Sequence, residues 1–181
     1  MLARYAALCQ EAGLLPIVEP EVLMDGAHDI ERCELVTGQV LEAVFAELNA
    51  HRVVFEGILL KPNMVIPGKK CARQASVQEV AEATLRCLKR HVPAAVPGIV
   101  FLSGGQSDVD ATDHLNAMNA MGPQPWEVSF SYGRALQAPV LAAWKGDESN
   151  VAAAQKALLK RCHLNGLARD GTYARSMESA T

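Results

Sequence analysis

Four apolar runs in this chain end on polar or small residues, and three of those ends, Glu19, Lys61 and Ser103, are evenly spaced. The runs are Leu14-Leu15-Pro16-Ile17-Val18, Ile58-Leu59-Leu60, Ile99-Val100-Phe101-Leu102 and the alternating Val128-Ser129-Phe130-Ser131. Near-continuous apolar strands belong to parallel sheets covered on both faces. Parallel strands need long crossovers between them, usually helical, and helical patterns fill each gap. Residues 27–49 carry Ile30, Cys33, Val36, Val40, Val44 and Leu48 near helical spacing, closed by His51-Arg52. Ser76-Val77-Gln78-Glu79 is a capping box ahead of Val80, Ala83, Thr84 and Cys87. Ser107-Asp108-Val109-Asp110 caps a helix to about Met121, and residues 135–144 and 150–165 read as two more, with Gly166 as the stop. A first helix over 2–12 stops at Gly13.

Repeated strand and helix units with right-handed crossovers place all four strand ends on one side of a sheet. In a β/α barrel that side carries the active site. The expected class is therefore α/β, and the chain is expected to be one domain or half of one.

The residues at those ends carry chemistry. An amine at the end of an apolar run is desolvated by neighbours such as Leu59 and Leu60, which disfavours the ammonium and frees a lone pair for attack on a carbonyl. The alternative for Lys61 is a side chain snorkelling into water. Glu19 and Glu21 share a face if the segment is extended, and two like charges held close raise one pKa toward neutrality, suiting it to proton transfer. The alternative is a solvated strand end. Ser103-Gly104-Gly105 and Ser131-Tyr132-Gly133-Arg134 offer convergent backbone N–H groups and a guanidinium fork, a plausible grip for phosphate. A Ser-Gly-Gly turn by itself is usually only a loop; its value comes from sharing the strand ends with Lys61 and Glu19.

Half of the 181 residues are hydrophobic, the net charge is −3, and the longest basic cluster is Lys69-Lys70 with Arg73 beyond it. Nucleic acid is thus not an expected partner, and no apolar run approaches a membrane span or a signal peptide. A cytoplasmic location is expected. The five cysteines are unpatterned and read as reduced thiols. The five histidines read as helix-end or surface residues and the two tryptophans as packing. No HExxH motif or paired CxxC spacing suggests a metal.

Ile17-Val18-Glu19-Pro20-Glu21, Leu59-Leu60-Lys61-Pro62-Asn63-Met64, Phe101-Leu102-Ser103-Gly104-Gly105 and Phe130-Ser131-Tyr132-Gly133-Arg134 resemble, in order, the signature segments of class I, Schiff-base fructose-bisphosphate aldolase. The resemblance implies that Lys61 forms the imine with the substrate ketone. It implies that Glu19 is the general acid and base of carbinolamine dehydration and that Glu21 organises neighbouring lysines and carboxylates. Ser103, Gly104, Gly105, Ser131, Gly133 and Arg134 would hold a substrate phosphate. It further implies a TIM (β/α)8-barrel fold, a phosphorylated sugar substrate, no metal or other cofactor, glycolysis as the setting and a homo-oligomer for a complete enzyme.

A barrel of eight such units takes about 250 residues. The match is to the family's strands 5 to 8 and C-terminal helices, spanning residues 1–181, with 167–181 as a flexible tail lacking the terminal tyrosine some members use. The expected alternative is a truncated or split-gene half-barrel, inactive alone, that pairs with a missing N-terminal half or with another copy of itself.

Overall fold

The computed structural model describes residues 1–179. Strands β1 (Ile17–Val18), β2 (Leu59–Leu60), β3 (Gly98–Phe101) and β4 (Glu127–Phe130) form one parallel sheet in the order β1-β2-β3-β4. Around them lie α1 (Leu2–Glu11), α2 (Ile30–Ala50), α3 (Val77–His91), α4 (Asp108–Ala120), α5 (Arg134–Trp144) and α6 (Val151–Arg169). A doubly wound sheet reverses its strand order at a switch point and carries helices on both faces. Here spatial order is sequence order, and each of α1, α2 and α3 packs on its successor, with α4 and α5 both against α6. Helices in such a continuous layer form the outer wall of a β/α barrel, four βα units long.

The register explains which residues face that layer. Val18, Leu60, Ile99 and Val128 are partners across the sheet, and all four are buried. Side chains alternate along a strand, so the preceding row, Ile17, Leu59, Gly98 and Glu127, faces the other way. Ile17 is 41% exposed there. One residue beyond the buried row, Glu19 and Lys61 return to this open face.

Helix ends follow their local chemistry. Ser76 and Glu79 form the expected capping box at α3, and Ser107 caps α4 by accepting from Asp110 N at 3.0 Å. Gly13, at φ +72°, closes α1: Leu14 N donates to Cys9 O at 2.8 Å and Gly13 N to Gln10 O at 3.0 Å, the Schellman pairing. Four expectations need correction. The 27–49 helix starts at Ile30 because Asp29 caps it, accepting from Arg32 N at 2.8 Å. Its buried stripe is Ile30, Cys33, Thr37, Leu41, Phe45 and Leu48 rather than the Val36, Val40 and Val44 side, so the inner face is turned from the expected one. Gly166 lies inside α6; the stop is Gly171 at φ +68°, with Thr172 N on Leu167 O at 2.9 Å and Gly171 N on Ala168 O at 3.2 Å. His114, expected at a surface, is buried in α4 with Nδ1 2.6 Å from Gln106 Oε1.

Of residues 167–181, the first three complete α6, and 172–179 lie along α4 and α6. Tyr173 is buried, with its N–H donating to Asn116 Oδ1 and its hydroxyl to Glu178 Oε1, each at 2.9 Å. Ala180 and Thr181 of the expected tail lie outside the described residues. No described helix is long and apolar enough to cross a membrane.

Candidate active site

Lys61 Nζ stands 3.1 Å from Glu19 Oε1, with the lysine side chain 19% exposed and the glutamate 47%. The sheet sets this distance. Val18 pairs with Leu60, so the next residues of β1 and β2 fall opposite each other across one strand spacing. Lys61 N donates to Val18 O at 2.7 Å, and Pro62 O accepts from Leu102 N at 3.1 Å. The backbone around the lysine is thus held from both neighbouring strands. At this separation a proton can pass directly between amine and carboxylate.

Glu21 has a different neighbour. A Cβ placed on Gly104 would sit 2.7 Å from Glu21 Oε1. The two carboxylates, expected to act as a pair on one face, are therefore divided: Glu19 serves β2, and Glu21 leans across to the turn after β3. Any side chain at Gly104 would displace Glu21. Gly105 has φ +80°, and a Cβ there would meet Met24 Cβ at 2.8 Å. Gly105 is required by its left-handed backbone and by the approach of Met24, whereas at Gly104 the near atom is the end of a flexible, exposed side chain.

The β3 and β4 ends meet. Ser103 is buried, and its Oγ accepts from Ala135 N at 3.4 Å, tying the Ser-Gly-Gly turn to the first turn of α5. Ser131 N donates to Phe101 O at 2.9 Å. Gly133 precedes α5 and Arg134 opens it, at the positive end of the helix dipole, which suits an anion. Arg134 is exposed and borders a cleft of 360 Å³ with Gln106, Ser107 and Asp108. Between Ser131 and Gly133, Tyr132 is buried and donates to Ala111 O at 2.9 Å, anchoring the segment to α4; burial raises its pKa.

All nine expected residues thus lie at or just beyond the same ends of four parallel strands. One further residue was not singled out from the sequence. Asn63 is buried: its Oδ1 accepts from Val22 N at 2.9 Å, and its Nδ2 donates to Thr37 Oγ1 and Met64 O, each at 3.1 Å. The signal available was an amide amid the buried stretch 62–68, where each polar atom needs a partner.

A family model described as "Glycolytic: Fructose-bisphosphate aldolase class-I" matches residues 1–181. Fructose-bisphosphate aldolase B of Gallus gallus is 57% identical over 99% of this chain and 50% of its own length. Fructose-bisphosphate aldolase 1 of Toxoplasma gondii is 59% identical over 95% of this chain and 47% of its own. Fructose-bisphosphate aldolase from Plasmodium falciparum, solved in complex with TRAP and a small molecule inhibitor, superposes with a TM-score of 0.93 at 54% identity, covering 96% of this chain and 50% of that one. The chain spans about half the length of the relatives it matches. With the family model matched from end to end and relatives this similar, the chain belongs to the class-I fructose-bisphosphate aldolase family.

Proposed function

We propose that this chain carries the imine-forming part of a fructose-bisphosphate aldolase, which cleaves fructose 1,6-bisphosphate reversibly to dihydroxyacetone phosphate and glyceraldehyde 3-phosphate. The observation that carries the reading is the 3.1 Å approach of Lys61 Nζ to Glu19 Oε1 on the open face of the sheet. The neutral amine attacks the substrate ketone, and the carbonyl oxygen takes a proton to give a carbinolamine. Glu19 protonates the departing hydroxyl, water leaves, and an iminium forms on Lys61. The hydroxyl on the fourth carbon then gives its proton to the carboxylate that dehydration left on Glu19, and the bond between the third and fourth carbons breaks with its electron pair drawn into the iminium, releasing the aldehyde. Protonation and hydrolysis of the remaining enamine free the ketone and the lysine. The iminium is the electron sink, a task a metal would otherwise perform. Glu21, which lies close to the Gly104 turn, helps to organise the neighbouring lysines and carboxylates. Ser103, Gly104, Gly105, Ser131, Gly133 and Arg134 grip the phosphate of the bound ketone.

Incubation with dihydroxyacetone phosphate and borohydride tests this. The reduced adduct is expected on Lys61 by peptide mass, and Lys61→Arg is expected to abolish trapping without altering the fold, since arginine keeps the charge but stays protonated. An adduct on a helix lysine such as Lys89 overturns the assignment.

A specific observation also favours assembly with a partner. β1 and β4 end the strand order, and Leu14, Leu15 and Ile17 are exposed beside β1, a combination prone to association. On this reading the 181-residue chain is nearly inactive alone and does not run as a clean monomer. Co-expression with the earlier half of an aldolase barrel restores solubility and some cleavage. Size-exclusion chromatography with a coupled dehydrogenase assay decides it, and a sharp monomer peak with full turnover removes this second reading.

A further inference from the structure

We propose that Asn63 is a positioning residue of the imine site, setting the distance between Lys61 and the carboxylate segment on the neighbouring strand; this rests on the reading of Lys61 and Glu19 given above. Glu19 and Glu21 lie outside regular structure or at its margin, since β1 ends at Val18 and α2 does not begin until Ile30. Three of the bonds that fasten their segment lie nearest to them. Val18 O accepts from Lys61 N at 2.7 Å, Val22 N donates to Asn63 Oδ1 at 2.9 Å, and Met24 O accepts from Lys69 N at 2.9 Å. Both carboxylates fall between the first and second ties. The second is made by a side chain two residues beyond Lys61, on the same strand end.

The other arm of the amide makes the hold rigid. Asn63 Nδ2 reaches Thr37 Oγ1 in the middle of α2 and the carbonyl of Met64. The amide is buried and has partners at both of its atoms, so its two ends cannot exchange without leaving a donor facing Val22 N–H. Asn63 therefore links the lysine strand, the carboxylate loop and α2 through one planar group. Loss of the Val22 tie would let the loop drift from Lys61, and proton transfer across 3.1 Å falls steeply with such a displacement. The residue touches none of Ser103, Gly133 or Arg134 through its hydrogen bonds, so phosphate affinity lies outside its reach.

The test uses the whole chain and two readouts. First, amide hydrogen exchange: in Asn63→Ala the Val22 amide is expected to exchange at least tenfold faster while the Lys61 amide keeps its protection. A Val22 amide that stays protected overturns the proposal, whatever the chemistry of Lys61. Second, the rate of borohydride trapping across dihydroxyacetone phosphate concentration: Asn63→Ala is expected to lower the maximal rate constant at least tenfold with the half-saturating concentration unchanged. Thr37→Val, which leaves the Val22 tie intact, is expected to lower stability but keep the trapping rate within about twofold. Equal loss in both variants, or a loss of amplitude alone, would mean that Asn63 only supports the fold and overturns the proposal. If the unaltered chain fails to trap, the assignment of Lys61 fails, and the exchange result alone decides whether Asn63 positions the loop.

Discussion

Arg161 and Glu178 meet end-on: one guanidinium nitrogen, Nη1, lies 2.7 Å from each carboxylate oxygen. The Arg161 side chain is only 4% exposed, and its Nη2 also donates to Asp108 O at 3.0 Å and to Thr112 Oγ1. Glu178 in turn accepts from Tyr173. This buried cation on α6 joins the chain beyond the helix to α4, alongside the pairing of Arg175 with Asp110 and Asp113 and the donation of Lys160 to Glu178 O. Removing one partner of a buried pair leaves the other uncompensated, at a cost of about 3 kcal/mol or more. Arg161→Met is expected to lower the urea midpoint accordingly and to open residues 172–179 to protease. Glu178→Gln leaves the buried guanidinium without this countercharge and is expected to lower the midpoint as well. A protease pattern unchanged in Arg161→Met would show that the remaining contacts of Tyr173, Arg175 and Lys160 suffice to hold the segment.

His114 ties stability to pH. Burial lowers its pKa from 6.5 to about 4; nearby Asp110 opposes the shift and Arg175 adds to it. The unfolded chain takes up this proton as pH falls through 6.5, and the folded chain does so only near pH 4. Unfolding therefore binds a proton in that window. The stability contributed by neutral His114 is complete above pH 6.5 and is lost progressively toward pH 4, by at most about 3 kcal/mol. His114→Asn is expected to flatten the pH dependence of the urea midpoint between those values relative to the parent. Parallel curves for the two proteins would assign the acid sensitivity to other groups.

Arg134 is expected to act on phosphate and not on imine chemistry. It opens α5 beside Gly133, and charge-assisted guanidinium contacts to phosphate contribute about 1.5 to 3 kcal/mol. Arg134→Ala should raise the concentration of dihydroxyacetone phosphate giving half-maximal trapping by about tenfold or more, and leave trapping by unphosphorylated dihydroxyacetone unchanged. An equal loss for both ketones would give the residue another task.

Much of this molecule is legible one residue at a time. The capping box at Ser76, the cap at Ser107 and the stop at Gly13 each depend on groups within a few positions, so local chemistry suffices. Gly166 misled because a helix stop needs a left-handed residue after the last turn, and Gly171 supplies it; a helical glycine with open space around it carries no such signal in its letter. The rotated face of α2 was hidden for a different reason. Thr37 is buried with its hydroxyl accepting from Asn63, 26 positions away in the chain, and a hydropathy pattern counts a threonine as neutral.

The order of residues alone determines that apolar strands end on Glu19, Lys61, Ser103 and Ser131, that helices join them and that the polar ends share one side. Those properties follow from period and chain connectivity. Distances between the ends do not, because they depend on register. Val18 pairing with Leu60 puts Glu19 against Lys61, whereas a slip of one residue would turn one of them to the helix side. Packing also separated the two carboxylates, since the open space at Gly104 admits Glu21 and the tie from Asn63 to Val22 holds its segment there. Contacts between residues distant in sequence cost chain entropy to form and leave no local pattern; their partners become visible only when the sheet has assembled.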